Sequence, residues 1–157
     1  YLVTVLGCND CHTTKKMTAE GPVPDLSRRL AGHWEDPNLP APPKLPKGPW
    51  IAVTTMDFTA WSGPWGISYA SNLTPDENTG IGIWTEQMFV KAIRTGKHMG
   101  QSRPILPPMP WMDFAKLNDD DLTAIFAYLR SLPPIKNQIP DPVRPPPPPT
   151  RRRSRRS

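Results

Sequence analysis

Apolar residues recur at helical spacing in three stretches of the chain. Over 1–12, Leu2, Val5 and Leu6 share one stripe, and Cys8 and His12 continue it. Over 85–95, Trp84, Met88 and Ala92 form one row, with Phe89 and Ile93 in the next. Thr85 is placed to cap that helix, Glu86 sits in its positive first turn, and Gly96 stops it; Arg94 and Lys97 suit its negative end. Over 118–132, Leu122, Ile125, Phe126 and Leu129 recur at i, i+3, i+4 and i+7. Asn118 caps this stretch, Asp119, Asp120 and Asp121 load its first turn with negative charge, and Pro133 and Pro134 end it. Three helices are predicted, the last packed against the first.

Between them the pattern is irregular. Nine prolines, from Pro22 to Pro64, interrupt nearly every candidate element of 15–71, which reads as mostly loop. A short helical turn over Leu26–Ala31 and a short strand or extended segment over Ile51–Thr55 are the exceptions. Trp50, Phe58, Trp61 and Trp65 make this stretch too apolar for a solvated linker, so a binding role is expected. The Asn, Asp and Gly residues of 72–82 predict a structured turn. The run Leu106-Pro107-Pro108-Met109-Pro110-Trp111 predicts a rigid extended strap, because its prolines forbid helix.

Length suits one domain. With 23 Pro and only 37% hydrophobic residues in 157, side chains alone supply a small core. Six Trp suit a large flat cofactor. The net charge of +5 is misleading, since Arg151, Arg152, Arg153, Arg155 and Arg156 crowd the last seven residues. Without them 14 basic residues face 14 acidic ones, and a neutral body argues against nucleic acid. No signal peptide or membrane span is visible; the clipped start reads as a mature product or fragment whose export signal lies outside the given sequence.

The candidate chemistry lies in Cys8-Asn9-Asp10-Cys11-His12, which contains the only two cysteines. C-x-x-C-H is the attachment signature of haem c: two thiols at neighbouring helical positions each add to a porphyrin vinyl group, and the imidazole becomes the proximal iron ligand. A thioredoxin-like pair would want a βαβ setting, which is not visible. A zinc site would need two further ligands, and His33 and His98 lack finger spacing. On the proline strap, Met109 is the favoured distal ligand. Met99 and Met112 are nearby competitors, and His98 or His33 would give a bis-His iron instead. Arg94, Arg103 and Trp65 are candidates for contacts to the propionates or the haem edge.

The strap, together with Leu117-Asn118-Asp119-Asp120-Asp121-Leu122 and Ala127-Tyr128-Leu129-Arg130-Ser131-Leu132, resembles class I c-type cytochromes. The resemblance is nearest to the cytochrome c domains of bacterial dehydrogenase electron-transfer subunits. It takes in Asn72-Leu73-Thr74-Pro75-Asp76, Thr79-Gly80-Ile81-Gly82-Ile83-Trp84-Thr85 and Ala92-Ile93-Arg94-Thr95-Gly96, and spans roughly 1–140. It implies an all-α fold: a small helical bundle around one covalent haem, here with long Pro/Trp-rich loops. It also implies His12 and Met109 on the iron. The clipped start, the Pro/Trp insert and the Arg tail depart from the family pattern.

The expected function is that of a monohaem one-electron carrier rather than an enzyme. Two strong-field axial ligands leave no open site for substrate, and a thioether ligand raises the potential. The alternative is a haem c sensor or peroxidase-like enzyme with an open or labile distal site. Expected partners are redox proteins, a dehydrogenase or a terminal oxidase or reductase, met weakly and transiently. The expected location is the bacterial periplasm or envelope. The domain is expected over 1–140, followed by a disordered Pro- and Arg-rich tail over 141–157, a candidate for peripheral contact with an anionic membrane.

Overall fold

A computed structural model describes residues 1–34, 36 and 38–145. The five tail arginines lie outside the described residues, so the expectations placed on them have no structural counterpart. Among the described residues the α-helices are α1 (Leu2–Val5), α2 (Cys8–His12), α3 (Glu86–Thr95), α4 (Trp111–Phe114) and α5 (Asp119–Arg130). The strands are β1 (Lys15–Thr18), β2 (Gly21–Pro24), β3 (Val53–Thr54), β4 (Ala60–Gly63) and β5 (Gly66–Tyr69). Short 3₁₀ turns occupy Leu26–Arg28 and His98–Gly100.

The all-α expectation is therefore corrected. The stretch read as loop holds an antiparallel pair, β1–β2, and a three-stranded antiparallel sheet in the order β3-β4-β5. Proline is poor evidence against strand here. Pro22 and Pro24 sit in β2, opposite Met17 and Lys15, in a two-stranded ribbon where every strand is an edge. The sheet's hairpin turns at Pro64-Trp65, between the paired Gly63 and Gly66.

The first predicted helix is two. Gly7 takes a left-handed conformation (φ 69°) and separates α1 from α2, and an added Cβ there would fall 2.9 Å from the Asp10 carboxylate. The break rotates the apolar stripe, so that Val3 is buried while Val5 is 57% exposed.

The other two helices form as predicted. Thr85 Oγ1 accepts from the Met88 N–H (3.2 Å), and Gly96 ends α3 at φ 64°. Asn118 Oδ1 accepts from the Asp121 N–H (2.7 Å) at the start of α5. Their apolar faces meet: Phe89 and Phe126 pack with ring centroids 5.3 Å apart. Val3 of α1, Leu30, Ile81, Ile93 and the α5 stripe Leu122, Ile125, Phe126 and Leu129 complete one core. Burial at about 25 cal/mol per Å² of apolar surface makes this cluster the main source of stability. Among the described residues no helix is long and apolar enough to cross a membrane.

Beyond α5 the chain returns to the body. Val143 forms an antiparallel bridge with Ile67 of β5, through hydrogen bonds of 2.8 and 3.0 Å.

Candidate functional site

A cavity of about 560 Å³ opens between α2, the β5 end, the 72–82 turn, α3 and the proline strap, within the size range of cofactor sites. Cys8, Cys11, His12, Met109, Arg103 and His98 all line it, and Phe89, Ile93, Leu122 and Ile125 of the core floor it. The signature and the strap, almost 100 residues apart in sequence, thus line one cavity.

His12 is the best-defined member. It ends α2, is buried, and its Nδ1 lies 2.7 Å from the Ser71 carbonyl oxygen. A carbonyl only accepts, so Nδ1 carries the proton and Nε2 keeps its lone pair. Burial holds the ring's pKa below its ordinary value, and the imidazole stays neutral, as a metal ligand must. A contact of this kind fixes the tautomer and orientation of a histidine ring, as the outer hydrogen bonds of metal-ligating histidines do.

Three segments build that contact. Gly32 donates its N–H to the His12 carbonyl (2.8 Å), and His33 donates its N–H to the Ala70 carbonyl (2.9 Å). Leu73 N–H reaches the Leu30 carbonyl (2.8 Å), and the Thr13 hydroxyl accepts from Leu30 N–H (2.9 Å). Residues 30–33 therefore lie as a spacer between the signature and 70–73. Gly32 fits because its φ is +81° and an added Cβ would fall 2.5 Å from the Ala70 carbonyl oxygen.

Burial pushes the Cys8 thiol up to about 11 and raises Cys11 as well. Raised thiols are the reverse of the lowered thiolates of redox-active pairs. Among the described residues no three His, Cys, Asp or Glu side chains converge as ligands for a metal ion, which removes the second pair a zinc site needs. Two neutral half-buried thiols beside a neutral imidazole, all on a large apolar cavity, fit a c-type haem.

The other expected site residues divide. Met109 is half-buried on the strap, and of the methionines it alone lines the cavity among the described residues; Met112 is 66% exposed. His98 also borders the cavity, its ring edge-on to Trp84 at 5.1 Å. His33 lies elsewhere, its Nδ1 2.8 Å from Thr59 Oγ1 and its ring 4.9 Å from Tyr69. Arg103 reaches the cavity, but Arg94 and Trp65 do not line it. Arg94 instead bonds the Ala115 carbonyl and pairs with Asp119 at 2.6 Å, joining α3 to the start of α5.

Sequence reasoning missed part of the cavity lining. Gln138 to Pro142 line the cavity, brought there by Asn137. Its buried Nδ2 donates to the Ala31 and His33 carbonyls, both at 2.8 Å. Asn72 and Thr74 add a buried network that reaches the Ile135 backbone.

The 72–82 turn carries a pH-dependent support. Asp76 Oδ1 accepts from the Thr79 hydroxyl and N–H, both at 2.7 Å, and from the Asn78 N–H at 3.2 Å. These bonds, the Thr79 hydroxyl first, hold its carboxyl below the ordinary 3.8. A lowered folded pKa stabilises above the unfolded value and is lost as pH falls through the folded one. Asp76→Asn is thus expected to lower stability at pH 6, with the gap from wild type closing below about pH 4. Urea unfolding at pH 6 and pH 3 checks this.

No family model matches the chain. Curated relatives do. The chain is 38% identical over 81 residues to the cytochrome c subunit of the quinone-type alcohol dehydrogenase of Gluconobacter oxydans, covering 50% of this chain and 17% of that protein. It is 34% identical over 89 residues to the fructose dehydrogenase cytochrome subunit of Gluconobacter japonicus, covering 53% and 18%. It is 38% identical over 65 residues to the gluconate 2-dehydrogenase cytochrome c subunit of Pantoea cypripedii, covering 41% and 14%.

Over half its length, the chain is homologous to cytochrome c subunits of bacterial dehydrogenases. This agrees with the resemblance to class I c-type cytochromes. The chain spans less than a fifth of the length of these relatives. For such cytochrome subunits the cavity's donor set has an immediate meaning, and haem c is the cofactor they imply.

Proposed function

We propose that this chain is a one-electron carrier that holds a single haem c through thioether bonds at Cys8 and Cys11. His12 and Met109 would hold its iron. The observation that carries the reading is the state of His12: Nδ1 tied to the Ser71 carbonyl, Nε2 free, on the cavity that Met109 also lines. The bound group supplies reversible cycling between ferric and ferrous iron.

The protein's own residues set the conditions of that cycle. His12 keeps one orientation in both states because Ser71 holds it. The Phe89, Ile93, Leu122 and Ile125 floor excludes water and favours the less charged ferrous form. A thioether at Met109 acts in the same direction. Arg103 is the cation placed to meet a propionate. The chain is thus an electron-transfer unit and not itself an enzyme. Its partner is a dehydrogenase, or an oxidase or reductase further along, in a bacterial periplasm or envelope.

Covalent attachment is tested by the mass of the denatured chain after maturation in a host with cytochrome c assembly machinery. One haem per chain is expected, and none in a Cys8→Ala/Cys11→Ala variant. A denatured wild-type chain without added mass overturns the reading.

A further inference from the structure

We infer that Ser68, oriented by Trp65, is a positioning residue for the Met109 strap. The inference rests on the reading of Met109 as distal ligand and deepens it.

The strap has little backbone support of its own. Pro107, Pro108 and Pro110 have no N–H to give. On either side the backbone is anchored, by Ile105 N–H to the Gly96 carbonyl (2.8 Å) and by Asp113 N–H to the Pro110 carbonyl (3.0 Å). Among the described residues, the hydrogen bond that reaches 106–109 comes from the Ser68 hydroxyl to the Pro107 carbonyl, at 2.6 Å. The middle of the strap hangs on one side chain, two residues before Met109.

Ser68 is built for this. It lies within β5, opposite Trp61 in the sheet, and is buried. A hydroxyl has one proton to donate, and its direction must be fixed. The Trp65 indole N–H donates to Ser68 Oγ at 3.2 Å, which leaves the hydroxyl proton for Pro107. The Trp65 ring is itself seated on Gly63, where an added Cβ would fall 2.5 Å from it. A relay thus runs from the β4–β5 turn through Trp65 and Ser68 to the strap. It gives Trp65 a task away from the cavity, which its side chain does not line.

Displacing Met109 from the iron moves the strap and breaks this bond. Its loss should therefore favour any competing ligand, by about 2- to 12-fold for one net hydrogen bond. The test titrates ferric holoprotein with imidazole, which competes with a thioether for the sixth position. Ser68→Ala should bind imidazole about fivefold more tightly than wild type. Trp65→Phe should move the same way by less, and Ser68→Thr should restore the wild-type affinity. A merely structural role would lower the unfolding midpoint and leave the imidazole affinity alone.

Wild-type affinity in Ser68→Ala, beside a large rise in Met109→Ala, overturns the inference and leaves the ligand reading standing. Wild-type affinity in Met109→Ala overturns both. Should Ser68→Ala not fold, an unchanged affinity in Trp65→Phe overturns the inference.

Discussion

Replacing Met109 with alanine is expected to open the distal side of the iron. Ferrous protein should bind carbon monoxide readily, the low-spin spectrum should be lost, and the reduction potential should fall. Methionine–histidine ligation raises the potential, and axial ligands tune haem potentials over about 0.8 V, so a fall on the order of 100 mV or more is expected. The size of the effect follows from the wall. Among the described residues no other methionine lines the cavity, and the strap's prolines leave Met109 no neighbour to stand in. His98 is the competitor the cavity offers. If it takes the position, the spectrum stays low-spin while the potential still falls. Redox titration of wild type and variant checks both parts, and an unchanged spectrum and potential would remove Met109 from the iron.

Gly32→Ala is expected to be strongly disruptive, because it combines a positive φ with a backbone clash beside the site. Its positive φ costs about 1–3 kcal/mol for a residue with a side chain. The new Cβ would also meet the Ala70 carbonyl oxygen at 2.5 Å and the Ser71 carbonyl carbon at 2.6 Å. Both are backbone atoms and cannot rotate away. Separating them pulls Ser71 from His12, so stability and haem orientation should suffer together. A loss of about 3 kcal/mol is expected in urea unfolding of the holoprotein. Wild-type stability in this variant would mean that the spacer between α2 and 70–73 is looser than its hydrogen bonds indicate.

The two sets of cavity residues proposed as haem-binding stand out in the sequence because each is a local pattern. Cys8, Cys11 and His12 fall within one pentapeptide, and Met109 is bracketed by prolines. Helices α3 and α5 are legible too, since periodicity, cap and stop signals agree at Thr85, Gly96 and Asn118. The sheets are not legible. Pro22 and Pro24 are tolerated in β2 because edge strands have unpaired N–H sites, which the residue pattern does not reveal. The first helix breaks because Gly7 takes positive φ, a choice the tertiary context makes.

What supports these residues is less legible still. Ser71 acts through a backbone carbonyl, to which its side chain is irrelevant. Asn137 and Ser68 act over about a hundred and about forty residues of chain, respectively, with no local signature.

The proposed iron is closed on both faces by this chain's own ligands. The most direct measurement is the absorption spectrum of the matured protein, oxidised and reduced, with and without carbon monoxide. A low-spin spectrum in both states that carbon monoxide leaves unchanged is the predicted result. Ready carbon monoxide binding would show an open distal side, and a protein matured without haem would remove the carrier reading.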